Sequence, residues 1–173
     1  LLRAHVARNP DDATALQMLG ELFGREGRHA DAEILMAHAL ELAPDHDGAR
    51  LAYAETLFRQ QKAAEAIPHV EHLLAAQPAD PVFRNLLAAC LGLIGEEAEE
   101  ARLYESLLED YPRQPKIWLN YGHALRTIGR REESVAAYKR CIALAPELGD
   151  AYWSLANLKV AAVSLDEIAA MRA

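Results

Sequence analysis

His69 and His72 stand one helical turn apart with Glu65 close behind, the pattern by which a helix can offer imidazole and carboxylate ligands to a divalent metal. A third firm ligand is missing, so a solvent-facing helix surface is the better account and no metal is expected. No Ser, His and Asp residues can be assembled from spacing alone into a nucleophile with its base. Carboxylates such as Glu132 and Glu133 read as charges at the start of a helix. Cys90 and Cys141 fall on apolar helical positions without metal spacing, as small buried thiols do, which is compatible with a reducing compartment. No glycine-rich loop is available to cradle phosphate. The segment is therefore expected to catalyse nothing and to carry no cofactor.

The chemistry left to offer is that of binding. Lys116, Asn120, His123 and Arg126 follow one another at spacings of four, three and three, so they share one broad helical face. That face presents donors to a carboxylate or a backbone carbonyl. Glu21 with Arg25 and Glu55 with Arg59 lie at i, i+4 and read as intrahelical pairs, each contributing a few tenths of a kcal/mol.

What positions these residues is a unit repeated every 34 residues. One column reads Pro10, Pro44, Pro78, Pro112 and Pro146; a second, always small, reads Gly20, Ala54, Ala88, Gly122 and Ala156; a third, always aliphatic, reads Val6, Leu40, Leu74, Leu108 and Ile142. A helix, turn, helix, turn unit of this period cannot bury its apolar faces alone, so successive units must stack. The expected fold is all-α, a right-handed α-solenoid of antiparallel helix pairs, with first helices centred near residues 19, 53, 87, 121 and 155. One continuous domain over 1–173 is expected: 1–12 ends a preceding repeat, 13–46, 47–80, 81–114 and 115–148 are full repeats, and 149–173 is a partial repeat with a terminal helix.

Within these units Gly27 permits a turn conformation that side chains resist, and Gln61 replaces that glycine in the second unit. Pro68 falls about one turn into a helix, where a slight bend or a weak hydrogen bond is expected. Pro81 and Pro115 suit first helical positions. Glu100 stands where small Ala32, Ala66 and Ser134 stand in the other repeats. Lys159 breaks the column of Phe23, Leu57, Leu91 and Leu125, so the array is expected to end there. Residues 165–171 then read as a different short helix capped by Ser164.

The net charge of −8 argues against general binding to nucleic acid or to anionic membranes. It is unevenly spread: residues 81–114 carry seven acids and three bases, residues 115–148 three acids and six bases. The longest uncharged apolar run, residues 86–95, has ten residues and is too short to span a bilayer. A cytoplasmic location is expected.

The columns resemble the tetratricopeptide repeat family over about residues 1–159, most specifically in Trp118, Leu119, Tyr121, Gly122, Gly129, Tyr138 and Pro146. The resemblance implies binding of a protein, a peptide or another domain of the same polypeptide, in a concave groove lined by the first helix of each unit. Read by columns, that groove changes character along its length. Met18, Leu51, Phe58 and Leu86 are expected to line an apolar early part. Lys116, Asn120, His123, Arg126, Trp153 and Asn157 are expected in a polar and basic late part. A partner segment would lay apolar side chains over the first set and an acidic group near Lys116 and Arg126. The two-carboxylate clamp of chaperone-binding relatives does not carry over, since Gln17, Glu21, Val82 and Leu86 occupy its places. A narrower likeness covers residues 146–171, which look like the join in bacterial proteins whose tetratricopeptide array precedes a sulfotransferase domain. It implies catalysis outside this segment.

Overall fold

The computed structural model describes residues 1–158, and among them are ten α-helices and no strand. They are α1 (Leu2–Arg8), α2 (Ala13–Arg25), α3 (His29–Leu42), α4 (Asp47–Arg59), α5 (Ala63–Ala76), α6 (Pro81–Leu93), α7 (Glu97–Asp110), α8 (Pro115–Thr127), α9 (Arg131–Leu144) and α10 (Gly149–Asn157). The first helices α2, α4, α6 and α8 centre where the repeat columns place them. The expected helix over residues 165–171 lies outside the described residues.

Helix starts recur with the same period. Asp12 accepts from the backbone N–H of Ala15 at 3.0 Å, the Nδ1 of His46 from Ala49 at 3.0 Å, and Asp80 from Val82 and Phe83 at 2.8 and 3.2 Å. These three caps are 34 residues apart and satisfy N–H groups that the first turn leaves unpaired. Pro81 and Pro115 occupy the first helical positions of α6 and α8, where the missing N–H costs nothing. Helix α5 runs through Pro68.

The chain forms two compact units, Leu1–Ile94 and the residues from Gly95 onward. In the first unit, α3 packs on α2 and α4, and α5 on α4 and α6. One core cluster joins Ala54, Leu57, Ala66, Val70, Leu73, Phe83 and Leu86; two others gather Leu16, Ala39 and Ala49, and Leu19, Phe23 and Ala32. A polar tie crosses this unit: Lys62 donates to both oxygens of Glu33 at 2.8 and 2.7 Å, and Gln60 donates to Glu33 at 2.7 Å. The ammonium of Lys62 beside it holds the Glu33 carboxyl below its ordinary range.

In the second unit α8 packs on α7 and α9, and α9 on α10, around Leu119, Tyr138, Cys141, Ala151 and Leu155. Gly122 is required there by close approach, since a Cβ at that position would sit 2.5 Å from the Tyr138 ring. The Oγ of Ser134 donates to the Gly122 carbonyl at 2.8 Å and closes the same contact. Cys90 and Cys141 are fully buried, and burial pushes the Cys90 thiol up to about 11, which leaves it inert at neutral pH.

Candidate functional site

In the first unit, α2 and α4 run side by side and leave between them a cleft of about 370 Å³. Gln17, Glu21 and Arg25 line it from α2, and Leu51, Glu55 and Arg59 from α4, with Met36 and Thr56 buried beneath. Thr56 is satisfied locally by donating to the Ala52 carbonyl at 2.8 Å, as a hydroxyl inside a helix commonly is. Glu55 and Arg59 approach to 3.7 Å, the expected i, i+4 pair. Glu21 instead accepts from Gln17 at 2.9 Å, so the second expected pair is replaced by an amide contact.

Two of the apolar residues expected here are accessible. Met18 is 54% exposed, and Leu51 is half-buried at the cleft wall. Phe58 is half-buried too, packed against the core cluster beside α5. Leu86 is a correction: at 7% exposure it belongs to the core, because α6 packs on both α4 and α5 and turns this position inward. The large apolar residues that α6 exposes are Val82 and Leu93, 51% and 42% exposed.

In the second unit Lys116 and Arg126 are exposed on α8, and Asn120 and His123 are half-buried between them. His123 is not a loose surface imidazole. Its Nδ1 lies 2.9 Å from the hydroxyl of Tyr138. Burial lowers the pKa of His123, Arg126 adds to this and Asp150 opposes it, while burial raises that of Tyr138. A protonated phenol and a neutral ring therefore share this hydrogen bond. Asp150, on the first turn of α10, places a carboxylate near a face that the sequence reads as polar and basic. Trp153 is 67% exposed on α10, and Asn157 is exposed at its end.

His69 packs edge-on against Tyr53 at 4.9 Å between ring centroids, and burial lowers its pKa. Among the described residues no group of three or more His, Cys, Asp or Glu could hold a metal ion, and no helix is long and apolar enough to cross a membrane.

Profiles of the tetratricopeptide repeat match residues 24–90 and residues 115–148. The chain belongs to the tetratricopeptide repeat family. Over 132 residues it is 29% identical to Protein FlbA of Caulobacter vibrioides, covering 76% of this chain and 22% of that protein. Over 119 residues it is 31% identical to the cytochrome c-type biogenesis protein CycH of Rhizobium meliloti, covering 67% of this chain and 31% of that one. The chain thus spans less than a third of either relative, and neither is named as a sulfotransferase. Among solved structures, MamA from Desulfovibrio magneticus RS-1 matches with a TM-score of 0.77 at 18% identity, over 85% of this chain and 83% of that one. YrrB, described as a tetratricopeptide repeat protein with an unusual peptide-binding site, matches with 0.75 at 16% identity, over 88% and 79%. At such identities these likenesses show the fold alone.

Proposed function

We propose that this tetratricopeptide region holds a protein or peptide partner on the faces of its first helices, with one surface in each compact unit. In the first unit the surface is the cleft of α2 and α4, with Leu51 as the apolar contact on its wall, and Met18 and Phe58 are added from the same two helices outside the cleft. In the second it is the donor set of Lys116, Asn120, His123 and Arg126, with Trp153 and Asn157 on α10. The observation that carries the reading is the cleft, which combines the half-buried Leu51 with charges of both signs over a buried floor. Exposed apolar surface rimmed by polar groups is the usual mark of an interaction site. The peptide-binding site of YrrB, a protein of the same fold, adds support. Both sequence relatives extend far beyond the matched region, which supports a second form of the reading, a partner domain carried on the same polypeptide.

The test is selection of peptides from a random displayed library on the intact chain, followed by affinity measurement on two variants, Leu51→Asp and Lys116→Ala with Arg126→Ala. At unchanged helicity, selected peptides should lose at least about tenfold in affinity, roughly 1.4 kcal/mol, on one variant or the other. Peptides that bind both variants as tightly as the parent chain would remove the first-helix faces as the site.

A further inference from the structure

The charges lining the α2–α4 cleft are ordered. Glu21 and Glu55 are 34 residues apart and occupy equivalent places on neighbouring first helices, and Arg25 and Arg59 do the same one turn further along. The cleft therefore carries an acidic band and then a basic band, each contributed by both walls. Pairing within the walls neutralises this only in part: Glu55 and Arg59 meet at 3.7 Å, and Glu21 is held by the amide of Gln17 at 2.9 Å. Side chains reach across the cleft. A methyl at Gly48 of α4 would lie 3.5 Å from the Nε2 of Gln17, and one at Gly24 of α2 would lie 4.0 Å from Nη1 of Arg59.

We propose that this cleft recognises an extended segment carrying a basic and an acidic residue two positions apart, the cation lodging between Glu21 and Glu55 and the carboxylate between Arg25 and Arg59. The proposal rests on the reading of the first-helix faces as binding surfaces and adds the chemistry of the occupant. Spacing supports it. Four residues along a helix advance about 6 Å, and side chains two apart on an extended chain point the same way about 6.6 Å apart. A segment running along α2 and α4 thus brings its two charges opposite the two bands. A doubly acidic segment would set one carboxylate against Glu21 and Glu55, and a doubly basic one would set a cation against Arg25 and Arg59. Both lose by repulsion what they gain by attraction. Reversing the direction of the segment exchanges the order of its two charges, so both orders are occupants.

The probes are capped alanine-background peptides with arginine and glutamate two positions apart, in both orders, titrated calorimetrically into the intact chain. The controls place two arginines or two glutamates at those positions, or set the mixed pair side by side. At least one order of the mixed pair should bind about tenfold or more tighter than every control. Its advantage should disappear in Glu21→Gln with Glu55→Gln at unchanged helicity, and should shrink as salt is raised. Equal binding of a like-charged control, no binding by either mixed peptide, or full affinity in the double variant would each overturn the proposal. The peptide comparison uses the unaltered protein and so does not depend on how the variant folds. Library peptides that need Leu51 but lack a spaced basic and acidic pair would leave the interaction reading standing and remove this inference alone.

Discussion

Glu100 carries a carboxyl group into the position that Ala32, Ala66 and Ser134 fill in the other repeats. Burial, reinforced by the charge of Glu97, pushes it up to about 7. A carboxyl whose folded value exceeds its unfolded one favours folding in its protonated form. Its presence therefore becomes costly as pH rises from the ordinary carboxylate range through about 7. Allowing for its partial exposure, the ionised group should cost about 1–2 kcal/mol. Glu100→Gln should raise the melting temperature clearly at about pH 8, with a gain that shrinks towards about pH 5. A gain of the same size at both pH values would mean that the charge is not its cause. Residue-scale behaviour of this kind was only half legible in the sequence. The column shows that a charged residue replaces small ones, but depth depends on what neighbouring helices bring. Met18 and Leu86 share a column, yet one is 54% exposed and the other 7%. Leu119 and Trp153 likewise share one at 9% and 67%. Equal phase on a helix does not mean equal burial, and so the apolar part of the expected site lost Leu86. The bond between Tyr138 and His123 was not foreseen either, because it joins two helices through side chains that no periodicity pairs.

At the scale of the element, helix positions were legible because several signals agree. Small residues at the helix crossing, prolines after the second helix and turn glycines recur in phase, and each restricts the backbone independently. The caps at Asp12, His46 and Asp80 recur with the same phase and would have sharpened the helix starts further. The turn of the second repeat tests how much the glycine signal is worth. Gln61 adopts φ 63°, matching Gly27 at 77° and Gly129 at 81°, so the turn keeps its left-handed conformation although the residue type resists it. An L side chain there costs roughly 1–2 kcal/mol, while glycine adds unfolded-state entropy of about 0.5–1 kcal/mol. Gln61→Gly should accordingly stabilise the chain by about 0.5–1 kcal/mol, read as a shift in the denaturant midpoint at unchanged slope. A destabilised variant would show that contacts of the Gln61 side chain outweigh its backbone strain.

At the scale of the whole molecule, the 34-residue columns established the repeat architecture, because stacked repeats bury apolar surface mainly against their neighbours. The division into compact units is not written in those columns, which run in phase through Ile94 and Gly95. The first unit holds core clusters of its own and the tie from Lys62 and Gln60 to Glu33. A polypeptide of residues 1–94 should therefore be helical and melt cooperatively by circular dichroism; a broad, featureless transition would show that it needs the remainder of the chain. The open turns have a use of their own. A Cβ built at Gly27 or at Gly129 meets no atom within 4 Å, and each glycine joins the two helices of its own repeat at the surface. A reporter peptide or a protease cleavage sequence spliced in beside either one emerges into solvent with its ends held by helices already paired, so each unit can be tagged or opened separately while the proposed binding face stays untouched.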